Sequence, residues 1–344
     1  MLNSPPRLKE YDQLGSLMVM LTRACQMACV YCVYDRSLPA MTPRDLKRSI
    51  DLLFTAECDP VRLQFFGGEP LLRLDLLLGG IRYAEKLSRA AGRSVRYTVT
   101  SNGLLLDRRV LDRLAPYGVD YLVSFDGGRA AQEAQRPLLK KGGPYPYRRI
   151  LDNISGLVRS GQDFFVNMVT SPERAAEVER SAELLLEMGV GRIRFAYRMG
   201  ALWRKGAAAD YFSRIGRLLR RLRREGRMVS VFNPLCMDEP DLMSPTPTVD
   251  CDGRVYLGSV VPALERILPP LKGVCDAGTL GTVRRMQDLR QDRRRLWNRF
   301  LASCAGDRAL LEIVRSNLQM GVLSDAFFDR MREFGLTGGR DAAA

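Results

Sequence analysis

The stretch that decides the fold runs from residue 16 to residue 32 and reads SLMVMLTRACQMACVYC. Its first six residues form an apolar run that predicts a buried β-strand over Ser16–Leu21. The cysteines that follow, Cys25, Cys29 and Cys32, have the spacing CxxxCxxC. With 8 cysteines in 344 residues, this spacing arises by chance in well under roughly one chain in a hundred. The stretch therefore predicts a ligand loop directly after the first strand.

Three thiolates in a short loop can bind one compact iron–sulfur cluster. A four-iron cube held through three cysteines leaves one iron open to an external ligand. The residues alone leave two alternatives, a structural zinc site and free buried thiols. A zinc site usually has a fourth ligand close by, and this loop offers only its three cysteines. We therefore predict that Cys25, Cys29 and Cys32 hold a four-iron cluster.

The composition limits the remaining chemistry. The chain has no histidine, which excludes Ser-His-Asp triads, Cys-His dyads, HExxH zinc sites and C2H2 zinc fingers. Proton transfer is left to Asp, Glu, Lys, Tyr, Cys or water. With 46% hydrophobic and 27% charged residues, the composition indicates a folded globular protein. The formal charge of +14 includes arginine runs at 217–227 and 284–299, which are either solvated helix faces or a surface for an acidic partner.

The first two-thirds of the chain alternates apolar runs with amphipathic stretches, as in a parallel sheet built from βα units. The predicted strands are Ser16–Leu21, Val61–Phe66, Ser94–Thr100, Asp120–Phe125, Phe164–Thr170 and Arg192–Tyr197. The predicted helices are Thr42–Thr55, Leu74–Ala91, Asp107–Tyr117, Tyr147–Ser160 and Glu173–Met188. Polar and glycine residues follow the strands, at the edge that carries the chemistry in α/β barrels. The pattern predicts an α/β fold, a partial (β/α)6 TIM-like barrel.

The character of the sequence changes near residue 230, where Pro- and Asp-rich segments replace the βα pattern. We predict an N-terminal extension over 1–15, a barrel over 16–230, a small auxiliary domain over 231–304, and C-terminal helices with a tail over 305–344. No apolar run approaches the roughly 20 residues that span a bilayer, and the first residues lack a signal-peptide pattern. We therefore expect a cytoplasmic protein with reduced cysteines and no membrane partner.

The cysteine spacing and two further motifs resemble those of the radical S-adenosylmethionine (SAM) superfamily. The family's hallmark is CxxxCxΦC with an aromatic residue at Φ, and Tyr31 holds that place. The segment Gly67-Gly68-Glu69 follows the second predicted strand and is similar to the family's GGE motif. In the family, the backbone and the carboxylate of this motif receive the SAM amino group. The physics agrees, because glycine lets the backbone approach a ligand closely.

The third and fourth strand ends resemble the peptide-modifying branch of that family. They carry Asn102 in the sequence TSNG, and Ser124 and Asp126 in the sequence VSFDG. The resemblance implies that Ser124 contacts the cofactor. It also implies that Arg136, ten residues after Asp126, pairs with the SAM carboxylate, as suits a guanidinium. In the predicted barrel these residues lie at successive strand ends.

The resemblance implies two cofactors, a [4Fe-4S] cluster and SAM. In the family, the open iron chelates SAM, and one electron breaks the sulfonium C–S bond to give methionine and a 5′-deoxyadenosyl radical. That radical abstracts hydrogen from the substrate. The electron implies a reductase partner such as flavodoxin or ferredoxin. None of these steps needs histidine.

The segment Asp252-Gly253-Arg254-Val255-Tyr256 resembles the hairpin of SPASM and twitch domains, which bind auxiliary iron–sulfur clusters. Gly258 stands where the hairpin cysteine is expected, so we expect a degenerate domain that cannot hold two auxiliary clusters. Four cysteines are enough for a second [4Fe-4S] cluster if they converge, and otherwise each is a small buried apolar residue: Cys236, Cys251, Cys275 and Cys304. Cys58 is expected in the core.

The motifs FFGGEPLL and SFDG resemble those of ribosomal peptide maturases and anaerobic sulfatase maturases. We expect a maturase that crosslinks or oxidises a peptide or protein substrate, with the arginine-rich C-terminal helices available for recognition and no nucleic acid partner. Sulfatase-maturase-like oxidation of Ser or Cys is a second hypothesis that needs a base, for which the candidates are Asp238, Asp241, Asp250 and Asp252. Radical chemistry on a small molecule is a third hypothesis, and a non-catalytic iron–sulfur scaffold or sensor is a fourth.

Overall fold

One sheet organises this computed structural model, which describes residues 14–32, 36, 39–140, 142–231, 244–259 and 261–336. Its strands are β1 (Ser16–Thr22), β2 (Val61–Gly67), β3 (Val95–Ser101), β4 (Asp120–Ser124), β5 (Phe164–Thr170), β6 (Arg192–Tyr197), β7 (Ser230–Val231), β8 (Thr248–Val249), β9 (Arg254–Tyr256) and β10 (Asp276–Thr279). Their order across the sheet is β10-β9-β8-β1-β2-β3-β4-β5-β6-β7.

Strands β1 to β6 pair in chain order, and each is parallel to the next. β7 continues the sheet parallel to β6, and β8 lies parallel to β1 on the other side. Parallel neighbours place their carboxyl ends at one edge of the sheet. The cysteine loop and the segments that follow β2, β3 and β4 therefore share an edge. This topology confirms the predicted α/β fold, a partial barrel of six βα units.

Helices connect and cover the strands: α1 (Pro43–Leu53), α2 (Leu74–Ala91), α3 (Arg108–Leu114), α4 (Arg129–Gln135), α5 (Tyr147–Ser160), α6 (Val178–Glu187), α7 (Lys205–Arg224), α8 (Pro269–Cys275), α9 (Arg293–Cys304) and α10 (Arg308–Glu333). Their ends follow from local chemistry. Thr42 caps α1 by accepting from the Asp45 N–H at 3.1 Å, and Gly92 ends α2 in a left-handed conformation. None of the described helices is long and apolar enough to cross a membrane.

The main core lies between the sheet and the helices. Leu17 and Val19 of β1 and Leu63 and Phe65 of β2 are fully buried. Each helix of the barrel turns an apolar face inward, as Ile50 and Leu53 do on α1. This burial is the main driving force that holds helices on a parallel sheet.

The prediction that Cys58 lies in the core is wrong. Cys58 is exposed, in the loop that joins α1 to β2. The helix ends at Leu53, five residues before it, so Cys58 is not on the buried face of α1. Its sulfur lies against Gly15, where a Cβ atom would come within 2.1 Å of it.

The C-terminal segment extends the sheet and builds a second apolar cluster. β9 pairs antiparallel with both β8 and β10, so this hairpin continues the sheet beyond β1. The second cluster includes Trp297 and Phe300, whose ring centroids are 5.4 Å apart, and also Cys275 and Cys304. The C-terminal helices thus have a core of their own next to the barrel sheet.

Candidate active site

Cys25, Cys29 and Cys32 lie half-buried in the loop after β1. The Met27 N–H donates to Cys25 Sγ at 3.4 Å, and the Cys32 N–H donates to the Cys29 carbonyl at 3.1 Å. Burial raises the pKa of Cys29 to about 11. Burial, and then the charges of Cys29 and Cys25, raise the pKa of Cys32. The three thiols are therefore near one another and need a cationic partner in order to ionise.

The glycines after β2 allow close backbone contact with the cysteine loop. Gly67 has a φ of 131°, and a Cβ atom there would lie 2.3 Å from the Thr22 carbonyl oxygen. A Cβ atom on Gly68 would lie 2.2 Å from the Ala24 carbonyl oxygen. Because these glycines have no side chain, the two backbones approach closely enough for the Gly68 N–H to donate to the Thr22 carbonyl oxygen at 2.8 Å. The GGE segment thus fixes the path by which the chain enters the cysteine loop.

The carboxylate of Glu69 is buried and bridges two strand ends. It accepts from the Asn102 N–H at 2.8 Å and from the Leu71 N–H at 3.2 Å. Burial raises the pKa of Glu69 to about 7, against the opposite effect of these hydrogen bonds. Each oxygen accepts one backbone N–H group, so the carboxylate keeps acceptor capacity. Its contact with the SAM amino group, which the family resemblance implies, stays a prediction.

Asn102 follows β3 and directs its amide toward the cysteine loop. Its Oδ1 accepts from the Leu104 N–H at 2.9 Å, which fixes the side chain in an Asx turn. Its Nδ2 donates to Gln26 Oε1 at 3.3 Å and to Cys25 Sγ at 3.6 Å. Asn102 therefore contacts one of the three thiols directly.

Asp126 follows β4, and its carboxylate accepts hydrogen bonds from several groups near Cys29. Tyr31 donates its hydroxyl to Asp126 Oδ2 at 2.6 Å, and Val169 donates its backbone N–H to Oδ1 at 3.0 Å. Arg136 donates Nη2 to Asp126 Oδ1 at 3.0 Å and places Nη1 at 4.0 Å from Cys29 Sγ. The Arg136 guanidinium also lies 5.2 Å from the centre of the Tyr31 ring.

Asp126 pairs with the Arg136 guanidinium, and both side chains are buried. The pairing of Arg136 with the SAM carboxylate that the family resemblance implies stays a prediction. Ser124 stands half-buried at the last position of β4, as expected for a residue of this edge. The structure thus brings together the three cysteines, Tyr31 and the polar residues that follow β2, β3 and β4.

The donor set of this edge fits an iron–sulfur cluster. Three thiols provide the ligands, and N–H groups of Met27, Asn102 and Arg136 point at two of the sulfurs. Among the described residues, no three His, Cys, Asp or Glu side chains lie close enough to hold a single metal ion. A four-iron cluster does not require such convergence, because each cysteine binds a different iron atom.

The C-terminal cysteines do not form a comparable group in the described part of the chain. Cys251 packs into the main core, whereas Cys275 and Cys304 belong to the second apolar cluster. Burial raises the pKa of Cys251 and of Cys275 to about 12 each. Cys236, the fourth predicted ligand, lies outside the described residues. The described cysteines thus match the hypothesis of small buried apolar residues, and a second cluster stays a prediction.

The aspartates predicted as bases have different environments. Asp250 is buried and forms two hydrogen bonds with Arg23, through Nε at 3.1 Å and through Nη2. Asp252 is exposed and accepts from the Arg254 N–H at 3.0 Å. Asp238 and Asp241 lie outside the described residues. Asp250 is therefore held as an ion-pair partner, and the role of base stays a prediction.

Sequence reasoning missed Arg23 and Glu265. Arg23 stands two residues before Cys25, is 1% exposed, and donates Nη1 to Glu265 Oε1 at 2.6 Å. Lys272 in turn donates to Glu265 Oε2 at 2.8 Å. The network joins the start of the cysteine loop to a segment more than two hundred residues later. No local pattern signals it, because its members meet only through the pairing of β8 with β1.

Part of the chain is similar in sequence to known proteins. Residues 19–185 match the model of the radical SAM superfamily. The chain is 38% identical over 136 residues to a GTP 3′,8-cyclase of Synechococcus sp., a match that covers 38% of this chain and 37% of that protein. It is 28% identical over 200 residues to the PqqA peptide cyclase of Gluconobacter oxydans, over 55% of this chain and 50% of the cyclase. The matches thus cover half or less of these two relatives.

A solved structure resembles nearly the whole chain. Native anSMEcpe with bound AdoMet superposes with a TM-score of 0.72 at 15% identity, over 93% of this chain and 99% of that one. This similarity supports the fold, and the sequence match supports the family. Residues 19–185, which hold the three cysteines and the segments after β2, β3 and β4, are the part of the chain that matches the radical SAM superfamily.

Proposed function

We propose that this radical SAM enzyme is a peptide maturase, which abstracts hydrogen from a peptide or protein side chain and leaves a crosslink or an oxidation. The extent of the fold match carries the proposal. The similarity to anSMEcpe continues beyond the barrel to cover 93% of this chain, and anSMEcpe has been solved with the Cp18Cys peptide. The similarity to a PqqA peptide cyclase supports the same class of substrate.

In this proposal the residues at the carboxyl ends of the strands have separate roles. Cys25, Cys29 and Cys32 hold the cluster through their thiolates. The backbone of Gly67 and Gly68 and the Ser124 hydroxyl are the proposed contacts for SAM at the neighbouring strand ends. The cluster and SAM, when bound, supply a 5′-deoxyadenosyl radical. A one-electron donor of the flavodoxin or ferredoxin class is the proposed reductase.

Tyr31 of the cysteine loop forms a polar group with the buried side chains of Asp126 and Arg136. Their mutual hydrogen bonds at 2.6 and 3.0 Å leave Asp126 little freedom to move a proton. We therefore assign them to holding the loop and its SAM pocket. The site is half-buried at the edge, and burial of a radical's surroundings limits its quenching by water.

The test uses anaerobically reconstituted protein with dithionite and SAM. The probes are synthetic peptides encoded by short reading frames that flank the gene, and GTP in a parallel reaction. We expect 5′-deoxyadenosine formation to rise with one peptide, and that peptide to lose about two mass units per bond or oxidation formed. The Cys25→Ala/Cys29→Ala/Cys32→Ala variant is the control and should form none. Stimulation by GTP and by none of the peptides would contradict the proposal.

A second candidate is radical chemistry on a small molecule. The observation that favours it is the 38% identity to a GTP 3′,8-cyclase, over 136 residues. That match covers 38% of this chain, which is less than the share covered by the match to the peptide cyclase. Because a short match reflects the shared SAM-binding barrel more than the substrate pocket, we rank the peptide substrate first.

A further inference from the structure

We infer that Asn102 and Arg136 are positioning residues for the thiolates of the cluster, and that their N–H groups raise its reduction potential. The inference rests on the cluster site of the proposed function and is independent of the peptide substrate. It adds a role to both side chains beside the cofactor contact that the family resemblance implies. In this structure Asn102 Nδ2 lies 3.6 Å from Cys25 Sγ, and Arg136 Nη1 lies 4.0 Å from Cys29 Sγ.

Asn102 is held so that its amide must face Cys25. Its side-chain Oδ1 accepts from the Leu104 N–H at 2.9 Å, and its backbone N–H donates to Glu69 Oε2 at 2.8 Å. With the backbone and the side-chain oxygen held in this way, Nδ2 lies 3.6 Å from Cys25 Sγ and 3.3 Å from Gln26 Oε1. At 6% exposure, bulk water does not compete strongly for this donor.

Arg136 is held in the same manner beside Cys29. Its Nη2 is bonded to Asp126 Oδ1, which also accepts from the Val169 N–H, so the carboxylate is fixed by the sheet. The Tyr31 ring lies along the guanidinium and limits its rotation. The remaining Nη1 lies 4.0 Å from Cys29 Sγ. Asp126 balances the charge of Arg136, so what reaches the sulfur is mainly a directed N–H dipole.

With a cluster held by Cys25, Cys29 and Cys32, these donors would act when one electron enters from a flavodoxin- or ferredoxin-class reductant. That electron would add one negative charge beside the three thiolates. N–H donors to the sulfurs stabilise the more negative, reduced state, and hydrogen bonding to sulfur is an established determinant of cluster potentials. Removal of a donor should therefore lower the potential and make reduction harder.

The experiment measures the potential of the reconstituted cluster without SAM or peptide. A dithionite titration with redox mediators is followed by the electron paramagnetic resonance signal of the reduced cluster. We expect Asn102→Ala to lower the reduction potential of the cluster by about 59 mV. For a one-electron couple, this shift makes the ratio of reduced to oxidised cluster tenfold smaller at the same solution potential. The double variant Asp126→Asn/Arg136→Met keeps the net charge and removes the donor to Cys29, so it should lower the potential as well.

Asn153→Ala is the matched control. Asn153 donates Nδ2 to the Gly103 carbonyl at 2.8 Å and to the Leu104 carbonyl at 3.2 Å, so it holds the same loop without touching a thiol. The reduction potential of the cluster in Asn153→Ala should equal that of the wild-type cluster. If Asn102→Ala fails to retain iron while Asn153→Ala retains it, the positioning role is supported. Equal iron loss in both, or a loaded Asn102→Ala cluster with the wild-type potential and spectrum, would overturn the inference.

Discussion

Removal of the Arg23 side chain should destabilise the fold strongly, because it leaves the buried charge of Asp250 without an ionic partner and with the Cys251 N–H at 2.7 Å as its remaining described donor. In Arg23→Met, the carboxylate of Asp250 loses the hydrogen bonds from Nε at 3.1 Å and from Nη2. Asp250 is fully buried, so water cannot replace them. Glu265 keeps its ion pair with Lys272 at 2.8 Å, so its negative charge stays partly compensated. Burial alone would lower the pKa of Arg23, but Asp250 and Glu265 raise it, so the guanidinium is charged throughout the accessible pH range.

The expected loss follows from the chemistry of broken buried pairs. Removing one partner of a buried ion pair costs about 3–5 kcal/mol, because the other charge stays desolvated. A domain of this kind has a total stability of roughly 5–15 kcal/mol. Asp250→Asn is milder, because Arg23 retains Glu265 and the amide oxygen can still accept. The double variant Arg23→Met/Asp250→Asn should therefore be more stable than the sum of the two single losses predicts.

The measurement is guanidinium unfolding of the reduced apo protein under argon, followed by circular dichroism. The matched control is Arg108→Met, which breaks the exposed pair with Asp112 on α3 and should cost about 0–1 kcal/mol. Arg23→Met should also retain less iron after reconstitution, since Arg23 lies two residues before Cys25. A loss for Arg23→Met no larger than that of Arg108→Met would refute the reasoning. So would strict additivity in the double variant.

The remaining predictions concern other parts of the same edge and the C-terminal cluster. Gly68→Ala places a Cβ atom 2.2 Å from the Ala24 carbonyl oxygen, so iron content should fall, whereas Gly79→Ala meets nothing within 4 Å and should leave it unchanged. Because burial raises the pKa of Glu69 to about 7, the apo protein should lose roughly 3 kcal/mol of stability as pH rises from about 4.5 to 7, with no further loss above. Glu69→Gln should abolish that part of the pH profile of unfolding. Cys275→Ala/Cys304→Ala should leave about four irons per chain, and a fall from about eight to four would instead reveal a second cluster.

The sequence predicted the barrel closely because each strand and helix has a strong local pattern. The bounds of α2, α5, β5 and β6 agree with those predicted. The predicted bounds are less accurate where a helix changes type. Residues 172–177, for example, form a 3-10 helix before α6. The exposed position of Cys58 was missed because cysteine is usually buried, and composition is a weak guide to one residue in a loop.

The site was predicted in its position but not in its contacts. Motif order placed the three cysteines, Glu69, Asn102 and Asp126 at one edge, because parallel strands bring their carboxyl ends together. Which atom each side chain contacts depends on differences of about an ångström, and the spacing of residues along the sequence does not determine distances so finely. The Asp126–Arg136 pair and the buried Glu69 carboxylate are of that kind. The Arg23 network is harder still, since its partners are separated by 227 and 242 residues.

The absence of histidine makes these contacts more consequential. Around the cysteine loop, the described donors to sulfur are a backbone N–H, an amide and a guanidinium, none of which loses its proton near neutral pH. A histidine in the place of Asn102 would donate or accept according to pH, and the environment of the thiolates would change with it. The present donors hold a constant hydrogen-bonding pattern over the physiological range. The N–H groups that face Cys25 and Cys29 should therefore not contribute to the pH dependence of the protein, whereas Glu69 and the thiols themselves should.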